Sequence, residues 1–172
     1  MRILGIDPGP RAHGYALLDT SAGLLCCGQD ARPDLLPLSC SWNFAVVEMF
    51  EPRGQRIDQH SVDTIFETGR LWVRLLERAD STPALITRRT VQMHFCGRTD
   101  GDAAVNAVLR DRFAQTGGGK VPAVGTKSQP GPLYAIRMLA AGQSGHVWPA
   151  LAVAVCYAER AGIVCECLRA DR

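Results

Sequence analysis

Two apolar segments of the chain each end on a carboxylate, and this pattern restricts the fold more than any other feature of the sequence. The first is "RILGID", which closes on Asp7 and runs into a Pro-Gly-Pro turn; the second is "NFAVVEMF", residues 43–50, which carries Glu48 near its end. Nearly continuous apolar runs of this length are typical of strands buried on both faces of a sheet. A carboxylate at the end of such a strand loses hydration, so a cation, hydrogen-bond donors or a metal ion must compensate it.

The rest of the chain alternates between strand and helix patterns. Residues 14–29, "GYALLDTSAGLLCCGQ", predict two strands joined at 21–23, which gives three consecutive antiparallel strands with the first segment. The first half of "ALITRRTVQMHF" predicts another strand, and helices are predicted at 102–113 and 148–161. A helix at 60–78 is predicted by apolar residues at helical spacing, namely Val62, Ile65, Phe66, Trp72, Val73 and Leu76.

These elements describe an α/β fold in which a mixed five-stranded sheet, made of three antiparallel hairpin strands plus parallel strands, is flanked by helices. With 172 residues the chain is long enough for one full core, so residues 1–172 are expected to form a single domain. Residues 120–134 contain three prolines and follow three consecutive glycines, which predicts a loop.

Composition excludes some classes of protein and favours others. The net charge of +2 is too small to indicate a nucleic-acid partner by itself. The longest apolar run, residues 150–158, is about half of the roughly 20 residues that cross a bilayer. The seven cysteines include no CxxC pair and no zinc-type spacing, and their odd number favours reduced thiols. We therefore expect a cytoplasmic protein without membrane contact.

Asp7 and Glu48 can share one divalent ion if their strands are neighbours, because adjacent strands lie about 4.8 Å apart. Magnesium is commonly held by one or two carboxylates, with water and substrate phosphate filling its other positions. Such sites suit phosphodiester hydrolysis, in which paired metals about 4 Å apart activate water and stabilise the leaving oxygen. Taken separately, Asp7 can be an ordinary turn residue, and Glu48 can be a sheet-edge carboxylate or the ion-pair partner of an arginine.

Three segments resemble the RuvC-type Holliday junction resolvases, a family within the ribonuclease H-like superfamily of nucleases. "ILGIDPGPRAHGYALLD" is similar to their first strand and turn, "FAVVEMF" to their second acidic strand, and "HVWPALAVAVCYAER" to their last helix. The segment "GTKSQPGPLY" also resembles small resolvase-like proteins encoded by phages and prophages. The resemblance extends over nearly the full chain.

This resemblance implies a metal-dependent endonuclease that uses Mg²⁺ or Mn²⁺ to hydrolyse phosphodiester bonds in branched DNA such as four-way junctions. It also implies a homodimer, because a junction presents two symmetric strands to cut. The helix at 60–78 is a candidate interface if Trp72 is partly exposed, although this residue fits the core equally well. A bacterial cytoplasm is implied, with a phage or prophage as one source of the gene.

The resemblance further implies that Asp7 and Glu48 are metal ligands. The last helix of the family usually supplies two more ligands three residues apart, an Asp or His followed by an Asp. Here these positions hold His146 and Pro149. His146 can serve as a ligand or accept a proton from the attacking water, whereas Pro149 can do neither.

The missing carboxylate can be replaced by Asp102 or Asp100, although we favour Asp102 as the N-cap of its helix. Basic side chains and an aromatic ring that can contact nucleic acid are Arg11, Arg88, Arg89, Arg98, Lys127 and Tyr134. Taken singly, Arg88, Arg89, Arg98 and Lys127 are better explained as ordinary solvated side chains, and Arg11 can merely complete its turn.

Three other functions fit parts of the same pattern. A related nuclease acting on RNA or RNA–DNA hybrids would use the same sheet and carboxylates. A catalytically weak or inactive junction-binding module would explain Pro149. An actin-like ATPase shares a "GIDPG"-like phosphate loop, but the chain is too short for the two lobes of that fold.

Overall fold

The computed structural model describes residues 1–30, 41–52, 54, 57–78, 82–99, 101–139 and 145–168. Asp100, the other candidate for the missing carboxylate, lies outside the described residues. The α-helices and strands are β1 Arg2–Asp7, β2 His13–Asp19, β3 Gly23–Asp30, β4 Phe44–Met49, α1 Gln59–Leu76, β5 Ala84–Thr87, α2 Arg88–Cys96, α3 Asp102–Arg112 and α4 Val147–Arg160.

The strands form the predicted mixed sheet in the order β3-β2-β1-β4-β5. β2 is antiparallel to both β1 and β3, whereas β4 is parallel to β1 and to β5. The carboxyl ends of β1 and β4 therefore meet at one edge, where Ile6 is paired with Val47. Asp7 and Glu48 each follow this pair by one residue.

Side-chain alternation places both carboxylates on the same face of the sheet. Leu4 and Ile6 belong to the core cluster under α1, together with Val47, whereas Ile3 and Val46 belong to the cluster that contains α4. Successive side chains of a strand point to opposite faces, so residues an even number of positions apart share a face. Asp7 therefore lies on the same face as Ile3, and Glu48 on the same face as Val46, which is the face covered by α4.

Helix α4 can lie across β1 and β2 because two glycines leave room for its backbone. A Cβ atom added at Gly5 would lie 2.0 Å from the carbonyl oxygen of Ala150, and one at Gly14 would lie 2.1 Å from that of His146. Helix α4 is buried without interruption from residue 150 to 156, as expected for a helix that is apolar on all sides. It begins at Val147, one residue before the predicted start, with Pro149 tolerated in its first turn.

Helix α1 lies on the opposite face of the sheet, and the sequence located it without identifying its buried side. Its buried residues are Thr68, Leu71 and Leu75. Most of the apolar residues that predicted the helix are exposed instead, namely Val62, Ile65, Phe66, Val73 and Leu76, while Trp72 is half-buried. Helical spacing predicts the helix. It does not show which of the two apolar stripes on this helix faces the core and which faces solvent.

Helix α2 was not predicted, although its ends carry recognisable signals. The Thr87 side chain accepts a hydrogen bond from the Thr90 backbone N–H at its start, and Gly97 ends it in the left-handed conformation at φ 68°. The prediction that Asp102 is the N-cap of the next helix is wrong. Gly101 is the N-cap, and Asp102 is the first helical residue, with its carboxylate turned towards Arg88.

The predicted loop is present from Lys120 to Leu133 and is tied together by its own backbone. The N–H of Gly118 donates to the Gln129 carbonyl at 2.9 Å, and that of Leu133 donates to the Ala123 carbonyl at 2.8 Å. A short 3-10 helix, Tyr134–Met138, follows. In the described ranges, no helix combines the length and apolar character needed to cross a membrane.

We expect Gly5→Ala to destabilise the protein by about 3 kcal/mol, because its methyl group would overlap the Ala150 carbonyl in a packed core. The control is Gly69→Ala in α1, where an added methyl meets nothing within 4 Å and helix propensity favours alanine by up to about 1 kcal/mol. Urea denaturation of both variants measures the difference. Equal stability of the two variants would contradict the close approach of α4.

Candidate active site

An open cleft of about 610 Å³ lies at the carboxyl ends of β1 and β4. All four residues predicted as metal ligands line it: Asp7, Glu48, Asp102 and His146. The rest of its lining comes from the turn at 8–10, the segment 49–52, Arg88, Gly145 and Pro149. Ile57 before α1 and His60, Ser61 and Thr64 in its first turns complete it. No sequence pattern predicts the contribution of α1, because this contact depends on how the helix packs.

Asp7 and His146 are hydrogen-bonded at the floor of the cleft. Asp7 is 6% exposed, and the Nδ1–H group of His146 donates to its Oδ2 atom at 2.8 Å. His146 is the N-cap of α4, so the packing of this helix over Gly14 fixes the position of the imidazole. The hydrogen bond to Asp7 raises the pKa of His146 above its usual range. An imidazole in this state is a suitable proton acceptor in a hydrolytic reaction.

Glu48 and Asp102 are both ion-paired with Arg88. The Nε–H group of Arg88 donates to Glu48 Oε1 at 2.5 Å, and its Nη1 donates to Asp102 Oδ1. Burial, followed by the negative charge of Asp7, raises the pKa of Glu48 to about 7 although Arg88 acts in the opposite direction. An additional cation at this place would therefore stabilise the ionised form of Glu48.

Asp7 and Glu48 are the two buried carboxylates of the cleft that would hold a divalent ion. Asp7 and Glu48 are buried carboxylates at adjacent strand ends, and the repulsion between them is one cause of the raised pKa of Glu48. In the part of the chain that the structure describes, no three His, Cys, Asp or Glu side chains are gathered closely enough to hold a metal by themselves. Two carboxylates whose ion keeps water and binds substrate phosphate are what Mg²⁺ prefers.

The residues predicted to contact nucleic acid are spread over several elements. Arg88 lines the cleft and is engaged with carboxylates. The others are not among the residues that line it: Arg11 is exposed after β1, Arg89 is exposed in α2, Arg98 is exposed beyond α2, Lys127 is exposed in the loop, and Tyr134 is half-buried. Histidine 13, near Asp7 in sequence, is 2% exposed, so it is not available to a substrate.

We expect Glu48→Gln to stabilise the protein in EDTA. A pKa raised from 4.5 to about 7 means that ionisation of Glu48 destabilises the native state as pH rises through this interval. The amide oxygen can still accept from Arg88, so the variant should exceed the wild type by on the order of 1–3 kcal/mol at pH 8. The difference should fall towards zero at pH 4.5.

Urea denaturation in EDTA at both pH values measures this effect. The control is Glu51→Gln, at an exposed position, which should differ from the wild type by less than about 0.5 kcal/mol. A Glu48→Gln protein less stable than the wild type at pH 8 would show that the ion pair with Arg88 outweighs burial and repulsion.

Comparison with solved structures identifies the fold. The structure of RuvC from Thermus thermophilus has a TM-score of 0.62 and 17% sequence identity, covering 95% of this chain and 98% of RuvC. T. thermophilus RuvC in complex with a Holliday junction substrate has a TM-score of 0.59 at 17% identity, covering 95% and 97% of the two chains. No protein-family model and no curated protein matches the chain.

The chain therefore has a ribonuclease H-like fold, and within that class its fold is RuvC-like, as the sequence predicted. The comparisons give no support to a phage or prophage origin, which stays a prediction.

Proposed function

We propose that the protein is a divalent-metal-dependent endonuclease that cuts branched DNA such as four-way junctions, working as a single domain in the cytoplasm. The observation that carries this proposal is the pair of buried carboxylates, Asp7 and Glu48, at neighbouring parallel strand ends on the floor of an open cleft. The likeness to RuvC in complex with a Holliday junction supports DNA as the class of substrate.

In this proposal Asp7 and Glu48 hold the ion, which supplies Lewis-acid activation of the scissile phosphate and of water. His146 takes the proton of the attacking water, since Asp7 holds its Nδ1–H group, Nε2 of the neutral ring is left as the acceptor, and the ring lies at the cleft. The exposed basic residues Arg11, Arg89, Arg98 and Lys127 provide phosphate contacts away from the reacting group, and Tyr134 provides a ring for stacking.

We expect Asp7→Asn to abolish cleavage that depends on Mg²⁺ or Mn²⁺ while leaving the fold intact. Asparagine retains the size of aspartate but removes the charge that attracts the ion. The matched control is Asp111→Asn, at an exposed position of α3 that does not line the cleft, which should cut normally. Undiminished cleavage by the Asp7 variant would refute the site.

A substrate panel separates the proposed nuclease from its alternatives. Four-way junction, flap, duplex, single-stranded and RNA–DNA hybrid substrates are incubated with Mg²⁺ and with Mn²⁺. Symmetric nicks in the junction alone support the resolvase activity, whereas cleavage of the hybrid alone supports the related RNA-directed nuclease. Junction binding in EDTA without cleavage in either metal supports a non-catalytic binding module, the function that Pro149 favours.

We further propose that two chains associate through the outer face of α1. Five residues on this face follow alternating steps of four and three, the spacing of a coiled-coil seam: Val62, Phe66, Gly69, Val73 and Leu76. All five are exposed, and Phe66 is 65% exposed. A separate face of the helix carries Asp63, Glu67, Arg70 and Arg74, so the apolar stripe has defined edges.

A second copy of the chain is the occupant that best fits this surface. Large contiguous apolar patches on soluble proteins mark interaction sites, and a twofold pair presents the same patch twice. The start of α1 also lines the cleft through His60, Ser61 and Thr64. A dimer formed on this helix therefore relates two clefts by a twofold axis, as two cuts in a junction require.

We expect Phe66→Asp to convert a dimer into a monomer, because it places a charge at the centre of the apolar stripe. Sedimentation velocity over a range of concentrations measures the mass. Arg74→Asp, which introduces the same residue on the charged face of α1, should remain dimeric. A monomeric wild type, or a Phe66 variant that stays dimeric, would exclude this interface.

A further inference from the structure

Arg88 joins two carboxylates that come from different parts of the chain. It is the first residue of α2, directly after β5, and its guanidinium donates to Glu48 of β4 and to Asp102 of α3. Glu48 is 8% exposed and Arg88 is about one-third exposed. Arginine suits this place because two of its five N–H groups can bind two acceptors in a fixed plane.

Arg88 and Pro149, the position at which the sequence lacks a second carboxylate on α4, border the same gap. Pro149 is buried and borders a gap that it shares with Glu48, Arg88 and Asp102. This gap measures about 10 Å³, which is room for about one water molecule. The same four residues also line the open cleft, so it is the guanidinium, bound to both carboxylates, rather than a lack of space that opposes a second ion there.

The charges of the cleft agree with a single ion. Glu48 and Asp102 share the guanidinium of Arg88 as their counter-ion. A second divalent ion bound by these two carboxylates would therefore compete with Arg88, whereas Asp7 and the rest of Glu48 stay open to one ion.

We propose that Arg88 takes the place of a second metal ion, so that the site binds one divalent cation. Arg88 is then a positioning residue that holds Glu48 and Asp102 and supplies the positive charge that paired-metal sites obtain from their second ion. This inference rests on the proposed metal-dependent function, and it concerns the number of ions rather than the reaction.

The test is the number of Mn²⁺ ions bound per chain, measured by isothermal titration calorimetry and by electron paramagnetic resonance of free Mn²⁺. The wild type should bind one ion. Arg88→Gln should bind two, because Glu48 and Asp102 lose their cation, whereas Arg88→Lys, which keeps the charge, should bind one. Arg89→Gln, the adjacent exposed arginine, is the matched control and should also bind one.

A double variant shows where the extra ion binds. Arg88→Gln combined with Asp102→Asn should return to one ion, since one of the two released carboxylates is removed. Near-ultraviolet circular dichroism checks that each variant is folded. Two ions in the wild type, no ion in the wild type, or a single ion in folded Arg88→Gln would each overturn the inference.

Cleavage of a four-way junction is measured separately on the same samples. A wild type that binds one Mn²⁺, with the predicted change in the variants, but cuts no substrate would overturn the proposed nuclease function and leave the role of Arg88 intact. A wild type that cuts junctions with two bound ions would support the nuclease function and overturn the proposed role of Arg88.

Discussion

Two carboxylates are buried side by side at one edge of the sheet, and the contacts around them compensate their negative charge. Asp7 and Glu48 are both less than one-tenth exposed and lie on one face of the sheet at adjacent strand ends. Such an arrangement is unfavourable in an apolar setting, and the raised pKa of Glu48 reflects its cost. His146 compensates Asp7, and Arg88 compensates Glu48.

The positions of His146 and Arg88 are set by the packing of α4 and of β5, which involves backbone contacts away from the two carboxylates. Gly5 and Gly14 allow α4 to approach the sheet, which brings His146 to Asp7. The short strand β5 pairs with β4 so that Glu48 is opposite Ile86, and the chain then enters α2 at Arg88. The buried charges at this site lower the stability of the native state, as is common where a protein binds ligands or catalyses a reaction.

Much of this arrangement could be predicted from the sequence because it depends on local patterns. Apolar runs identified β1 and β4, and their terminal carboxylates identified Asp7 and Glu48 as a pair. The assignment of Glu48 as an ion-pair partner of an arginine was also among the alternatives, and the ion pair with Arg88 is present. The ion pair at Glu48 is thus present in the structure, and the metal site at the same carboxylate stays a prediction.

What the sequence could not provide depends on contacts between distant segments. Arg88 lies 40 residues from Glu48, and no spacing rule joins them. Asp102 was assigned as an N-cap because that explanation is local, whereas its true partner comes from another helix. The outer stripe of α1 was detected as helical periodicity, but only packing shows that Leu71 faces the core and Phe66 faces solvent.

A crystal structure of the wild-type protein soaked in MnCl₂, with anomalous differences collected near the manganese edge, would locate the bound ion. We expect one strong peak between the carboxylates of Asp7 and Glu48, with Arg88 still bound to Glu48 and Asp102. A crystal that contains manganese elsewhere but shows no peak at these two carboxylates would contradict this expectation.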